Sequence, residues 1–443
     1  MLKTFQSLLQ GKLSFLEESS LLVAVSGGLD SMVLVDLCKK TGLNISLAHC
    51  NFKMRGLESN KDVDFIKSYT EIHNIEFFST AFDTDTYAKS SKQSIQMAAR
   101  QLRYQWFESL QEQHRFDFVL TAHHADDNLE TFLINLSRGT GLGGLTGIPE
   151  INGSIVRPIL DFSRDEILDY AISEKLKWRE DSSNKNKMYL RNNLRHSIIP
   201  LLKEINPSFI DSFKKTQDHL KGSQSIIEDY LLDIEDLVIE SVSENKILYK
   251  INLIESLNNP KAYLYQLFKP YGFTDWNKIT DLLKAQTGKQ ISSPSHRLIK
   301  NRNHLLLCKL EAPFELDISI ESLQSLVKIP SHNIVLKMES TNSNLIMSGE
   351  SLLLDSDSLI FPLKVRTWQE GDYFYPSGMR GKKKLSKFFK DEKISLIDKE
   401  NALILCSDDQ VVWILGSRSD KRFIVTKKTT NFLKISIEYN AHS

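Results

Sequence analysis

At 443 residues the chain has room for about two to four domains and a sizeable core. Its composition, 41% hydrophobic and 25% charged, is that of an ordinary soluble globular protein, and a formal net charge of +0 does not announce a nucleic-acid binder, a question left to local patches. Glu17 and Glu18 interrupt the first apolar stretch with no small-residue cleavage site after it, and no run approaches the length of a membrane span. Cys38, Cys50, Cys308 and Cys406 stand far apart without a C-x-x-C pair, which argues against a disulfide framework or a structural zinc. The expectation is a cytoplasmic protein with reduced thiols and no membrane partner.

Residues 20 to about 160 alternate strand and helix signals. Leu21 to Val25 is a short apolar run ending at a Gly-rich loop, and Ser31 to Lys40 carries apolar residues at helical spacing. Ile45 to His49 reads as a strand, Ser59 to Tyr69 as a helix, Ile75 to Phe78 as a strand and Gln93 to Gln113 as a long helix. Phe116 to Ala122 is a fourth strand, followed by a helix from Asp126 to about Arg138. The glycine run Gly139 to Gly144 reads as a mobile loop or turn. After Pro200 the pattern turns helical, over 208–240 and 255–290. From about 313 short strand-like runs follow: Val327–Pro330, Asn333–Lys337, Leu352–Leu354, Leu363–Trp368, Ala402–Cys406 and Val411–Leu415. The fold class expected is α/β: a doubly wound, mostly parallel sheet over 1–205, a mainly helical domain over 206–312, and a small strand-rich α+β domain over 313–443.

Between the first strand and helix lies Ser26-Gly27-Gly28-Leu29-Asp30-Ser31. The glycines let backbone amides approach phosphate, and the next helix points its positive end at the same anion. Ser26 and Ser31 add hydroxyl donors. Asp30 repels phosphate directly, so a bridging magnesium ion is its natural partner. No Gly-Lys-Ser/Thr follows, so this is not a Walker A loop. A second cluster, His123-His124-Ala125-Asp126-Asp127-Asn128-Leu129-Glu130, ends the fourth strand. On a helix Asp127 and Glu130, or Asp126 and Glu130, share a face and repel unless a metal or a substrate ammonium sits between them. Acids at a helix start also arise for dipole reasons alone, and His124 reads more readily as a polar contact within the fold.

The hexapeptide resembles the signature of the PP-loop, or N-type, ATP pyrophosphatases. The segment His123 to Gly144 is similar to the pattern of the tRNA(Ile)-lysidine synthetase family within them. So are Ala48–Ser59, Ala99–Tyr104, and Glu180–Asn184 with Arg191–Arg195. The likeness covers about 20–205 closely and returns at Val365-Arg366, Gly371-Asp372, Pro376–Gly381 and Lys384–Phe389. Phe52, Gln96 and Asn128 depart from it, standing where the family has His, Glu and Gln.

The resemblance implies ATP as substrate, magnesium at Asp30, and free L-lysine joined to the wobble cytidine of an isoleucine tRNA with a CAU anticodon. Asp127 and Glu130 are the expected lysine-binding pair, with Asp30 completing the catalytic set. His123, Asp126, Arg100, Arg103 and Arg195 are further site candidates. Arg100 and Arg103 could balance phosphate or be surface arginines. Arg191, Arg195 and His196 could meet RNA or ATP, or pair with Glu180 and Asp181. Lys382, Lys383, Lys384 and Lys387 lie in a basic run with Phe388 and Phe389, read as a tRNA contact, the two rings fitting a core at least as well as a stacking surface. Alternatives are a PP-loop tRNA thiolase, a small-molecule amide synthetase, and a tRNA-binding protein with an inert fold. A homodimer is left open.

Overall fold

Leu21, Leu22 and Val23 are fully buried although they are consecutive, because their strand is covered on both faces. The computed structural model describes residues 1–53, 57–179, 190–310, 316–323, 326–341 and 350–439. Helix α1 (Leu2–Gln10) precedes β1 (Leu21–Ala24), α2 (Leu29–Lys40), β2 (Ile45–Asn51), α3 (Leu57–His73) and β3 (Phe77–Ala81). Then come α4 (Thr84–Ser90), α5 (Ile95–His114), β4 (Phe118–Leu120), α6 (Ala125–Ser137), α7 (Leu142–Leu145), the hairpin β5 (Ile151–Asn152) and β6 (Ile155–Val156), and α8 (Arg164–Ser173). The sheet order is β3-β2-β1-β4-β6-β5, parallel except for the β5 edge. Leu21 and Val23 face one core with α1 and α2, while Leu22 faces another with Phe107 and Leu110 of α5. This is the doubly wound sheet expected.

The strand order reverses between β1 and β4, so the loops leaving their carboxyl ends flank a crevice. Both chemical clusters found in the sequence lie on those two loops. The expected glycine loop is partly regular: Gly139 turns at φ +74°, and α7 begins at Leu142.

Helices α9 (Leu190–Asn193) and α10 (Ile199–Ile205) are joined by a π-helical turn, Leu194–Ile198. Pro200 has no amide to donate and its ring crowds the carbonyl four residues back, which favours such a widened turn. Helix α11 runs from Phe209 to Val238.

The chain divides into two compact units, Met1–Asp229 and Tyr230–Ser443. In the second, α12 (Ile251–Ser256), α13 (Pro260–Phe268) and α14 (Trp276–Leu282) supply the expected helices. Five strands that the helical reading did not include accompany them: β7 (Ile239–Ser243), β8 (Lys246–Lys250), β9 (Gln290–Ser292), β10 (His296–Asn301) and β11 (His304–Lys309), in the order β7-β8-β11-β10-β9. The C-terminal part holds two four-stranded sheets around a core that includes Leu336, Leu363, Leu405 and Trp413. A short helix, α15 (Leu385–Asp391), packs in a separate cluster. No helix among the described residues is long and apolar enough to cross a membrane.

Candidate active site

The first loop is held from both sides. His49 Nδ1 donates to the Val25 carbonyl at 2.8 Å, and the Arg179 amide donates to the Gly27 carbonyl at 2.9 Å. Gly27 has φ +82°, where a side chain would be strained, and Gly28 is the N-cap of α2. The Ser31 hydroxyl donates to the Gly28 carbonyl at 2.9 Å, and Ser26 Oγ accepts from the Gly28 amide at 3.3 Å. Leu29 is buried and anchors the helix start, so the loop reaches the crevice with its amides already arranged. Asp30, in the first turn of α2, bonds the Arg164 guanidinium.

On the facing loop His124 caps α6. Its amide donates to Asp127 Oδ2 at 3.1 Å, while its Nδ1 accepts from the Asp127 amide at 3.4 Å. His124 Nε2 lies 3.8 Å from Asp30 Oδ1 and 3.3 Å from Asp127 Oδ2. One buried imidazole therefore stands between the carboxylate of the phosphate loop and that of α6.

The three acids of α6 divide into two environments. Asp126 accepts the Arg164 amide at 2.8 Å and pairs with Lys203 at 2.8 Å. Burial works against its charge, but Lys203 and the amide outweigh burial and hold it below the usual carboxylate range. Both its oxygens serve to tie α6 to the start of α8 and to α10.

Glu130 has no exposed surface. Arg191 Nε donates to it at 2.6 Å and Arg195 Nε at 2.5 Å, and Arg195 Nη2 also reaches Asp127 Oδ1 at 2.8 Å. Burial raises the Asp127 carboxyl, yet His124 and Arg191, then His123 and Arg195, bring it below the carboxylate range. The cations between Asp127 and Glu130 are thus two arginines four residues apart, Arg191 on α9 and Arg195 on the π-helical turn that follows it. Glu180 and Asp181, the other partners considered for these arginines, lie outside the described residues, as do Met54–Gly56 and Ser182–Asn184.

His123 Nδ1 is 3.0 Å from the Thr121 hydroxyl. Burial, with Arg157, Arg191 and Arg100 acting against Asp127, pushes its pKa down to about 4. Arg100 lies over the Tyr104 ring, 4.9 Å from its centroid, and Arg103 over Phe52 at 5.2 Å. Phe52 therefore forms a cation–π seat. Gln96 is an exposed residue of the first turn of α5. Asn128 is buried: its Nδ2 donates to Gln217 Oε1 at 2.7 Å and its Oδ1 accepts from the Ile148 amide at 2.7 Å.

In the second unit, Lys382, Lys384 and Lys387 are exposed. Lys383 is half-buried and pairs with Asp391 at 2.8 Å, whereas Phe388 and Phe389 are core residues at 3% and 2% exposure.

Sequence reading did not single out Arg164, Lys203 or Arg157. Arg164 was within reach: Ser163 and Glu166 form a capping box, which marks the start of α8 beside the crevice.

A Ser-Gly-Gly loop between strand and helix, at the switch point of a parallel sheet and without a Walker lysine, defines a PP-loop protein. Residues 1–202 match the PP-loop domain family, 242–310 the TilS substrate binding domain and 363–437 the TilS C-terminal domain. The tRNA(Ile)-lysidine synthase of Parabacteroides distasonis is 38% identical, over 95% of this chain and 96% of that one. Those of Porphyromonas gingivalis and Bacteroides thetaiotaomicron are each 36% identical, over 94% of both chains. The chain belongs to the tRNA(Ile)-lysidine synthase family.

Proposed function

We propose that this protein joins free L-lysine to the 2-position of the wobble cytidine in an isoleucine tRNA with a CAU anticodon, consuming ATP and releasing AMP and pyrophosphate, in the cytoplasm. Residues 1–205 carry the chemistry, 206–312 are a middle domain, and 313–443 hold the tRNA through Lys382, Lys384 and Lys387, with Lys383 behind them. The observation that carries this reading is His124, whose single imidazole faces both Asp30 and Asp127. Activation and amine capture need neighbouring sites, and that residue makes them neighbours.

The cytosine 2-oxo oxygen attacks the α-phosphorus of ATP; the new O–P bond forms as the bond to pyrophosphate breaks. The lysine ε-nitrogen then attacks C2, and the C2–O bond to AMP breaks. The loop amides of Gly27, Gly28 and Leu29 with the start of α2 hold the departing pyrophosphate. Asp30 suits a magnesium ion: it offers hard carboxylate oxygen beside the loop, and magnesium takes one or two carboxylates with substrate phosphates. Bound there, the ion would neutralise charge on the pyrophosphate.

Asp127 and Glu130 hold the lysine ammonium. Arg191, the more exposed of their two arginines, gives way to it. Asp127 is held ionised and so makes a weak base. It anchors the amine, and Glu130 or Asp30 receives the proton. Arg100 and Arg103 balance phosphate charge.

The test uses purified protein, ATP, magnesium and radiolabelled lysine, with the CAU tRNA transcript and one carrying a changed wobble base. Label should enter only the cytidine transcript and be lost in Asp30→Ala. Pyrophosphate release without lysine incorporation would send the reading to another acceptor. Sulfur incorporation would favour a thiolase.

A further inference from the structure

Arg157 directly follows β6, at the carboxyl end of a parallel strand, and is 3% exposed. Its backbone amide donates to the Glu150 carbonyl at 2.9 Å and its Nη1 to the Pro149 carbonyl at 2.7 Å. Its Nε is buried with no hydrogen-bond partner among the described residues. Among the described residues no carboxylate pairs with it. Other arginines around the crevice are neutralised: Arg164 by Asp30, Arg179 by Asp62, Arg191 and Arg195 by Glu130. A buried guanidinium without a counter-charge bears a desolvation cost that the Pro149 carbonyl and Tyr104 offset only in part.

The neighbours of Arg157 show where its charge acts. Tyr104 is its polar neighbour, and Arg100 repels it from nearby. Arg100 covers the ring of that same tyrosine, is exposed, and forms no ion pair among the described residues. Two cations are therefore gathered on one tyrosine, beside the strand-end loop carrying His123. Like charges so placed destabilise each other until an anion joins them.

We propose that Arg157 and Arg100, bracketing Tyr104, form a subsite for a phosphate oxyanion of the substrates. Arg100 makes the direct contact, and Arg157 supplies a fixed second charge behind it. This rests on the reading above in its choice of substrates, which offer the same chemistry from two sources: a phosphodiester beside the target base, or a phosphate of ATP.

Inorganic phosphate, magnesium-ATP and a CAU anticodon stem-loop RNA are titrated against wild type, Arg100→Ala, Arg157→Met and Arg157→Lys. Arg100→Ala and Arg157→Met should each weaken phosphate binding by about tenfold, as expected for a charge-assisted contact, and Arg157→Lys much less. A loss that extends to the RNA, with its salt slope reduced by about 1, assigns the site to a phosphodiester. A loss that extends to ATP alone assigns it to the nucleotide. Phosphate should also raise the melting temperature of wild type more than that of either charge-removing variant. Wild-type binding of all three probes by Arg100→Ala, an exposed substitution that leaves the core intact, overturns the subsite. So does an Arg157→Met variant that melts early but gains as much from phosphate as wild type. The phosphate arm needs neither RNA nor lysine, so a failed lysine assay leaves it readable: binding lost in the variants then keeps the subsite and sinks only the reaction.

Discussion

Arg195 grips Glu130 with two nitrogens, Nε on Oε1 at 2.5 Å and Nη2 on Oε2 at 3.1 Å, although the two residues are 65 positions apart. Arg191 completes the clamp from one helical turn away. Because Glu130 is wholly buried, removing it takes away the nearer carboxylate of both guanidinium groups and leaves them Asp127 alone. Glu130→Ala should lose about 1–3 kcal/mol in urea unfolding, because both arginines are partly exposed and keep Asp127 as a partner. Glu130→Gln, which keeps the shape and part of the hydrogen bonding, should lose less while abolishing lysine incorporation. An unchanged urea midpoint in Glu130→Ala would show that the clamp is not a stabilising one.

The amides of Asn128 and Gln217 meet inside the first unit and leave no room beside them. A Cβ at Gly147 would fall 2.1 Å from Gln217 Nε2 and 2.2 Å from Asn128 Oδ1, and Gly147 has φ +80°. Gly147→Ala is therefore predicted to destabilise through both crowding and backbone strain, beyond the usual effect of one added methyl. Asn128→Ala should cost about 1–3 kcal/mol by leaving the Ile148 amide and Gln217 unsatisfied. Asn128→Gln restores the family residue but is one methylene too long for this pocket, and it should be less stable than wild type. Thermal melts of the three variants check the order.

What the sequence made legible was local. The Ser26–Ser31 loop and the His123–Glu130 cluster are each contiguous, and the strand–loop–helix alternation around them is enough to place both at strand ends. The partners were not legible, because ion pairs such as Asp30 with Arg164 join residues 134 positions apart and leave no periodic trace. The middle sheet is a different case. His296–Asn301 and His304–Lys309 form a hairpin through Arg302 at φ +54°, and the apolar run Leu305 to Cys308 carries a strand signal. The neighbouring helical pattern over 255–290 obscured it. Helix α1 was hidden by its brevity, though Phe5 and Leu9 are buried and spaced four apart.

Asp30 is engaged by Arg164, so a magnesium ion held at Asp30 as proposed would compete with Arg164 for one carboxylate. Arg164→Ala should lower the magnesium concentration needed for half-maximal pyrophosphate release. Asp30→Ala should lower the rate by about 10²–10³-fold, as loss of a charge-stabilising group does. Initial rates across a magnesium titration measure both effects. An unchanged magnesium dependence in Arg164→Ala would mean that the pair does not restrain the site.

His123 gives the crevice a defined response to acid. Its pKa lies near 4 in the fold against an ordinary value of 6.5, so below 6.5 the unfolded chain binds more protons than the folded one. Its contribution to stability is complete above pH 6.5 and is lost as pH falls from 6.5 toward 4. The lowered carboxyls of Asp126 and Asp127 act in the same direction further down, losing their contribution as pH falls below the ordinary carboxylate value. Stability of wild type should therefore decline between pH 6.5 and 4, and His123→Asn should flatten that part of the curve. Histidine NMR should show an imidazole still neutral at pH 5.5.

The basic run of the second unit separates into exposed lysines and one engaged with a carboxylate. Lys387 and Lys384 are exposed, Lys382 is exposed with its ammonium 4.5 Å from the Tyr373 ring centroid, and Lys383 is paired with Asp391. Only charges that release counterions on binding contribute to the salt dependence of RNA affinity. Lys384→Ala and Lys387→Ala should each reduce the slope of log affinity against log salt by about 0.7–0.9, with weaker binding at every salt concentration. Lys383→Ala should change the slope less, because Asp391 already neutralises that lysine in the free protein, and should instead lower the melting temperature by loosening α15. Filter binding of the full tRNA over a range of salt, paired with melts, distinguishes the two roles. Equal slope changes at Lys383 and Lys387 would mean that the Asp391 pair opens when RNA arrives.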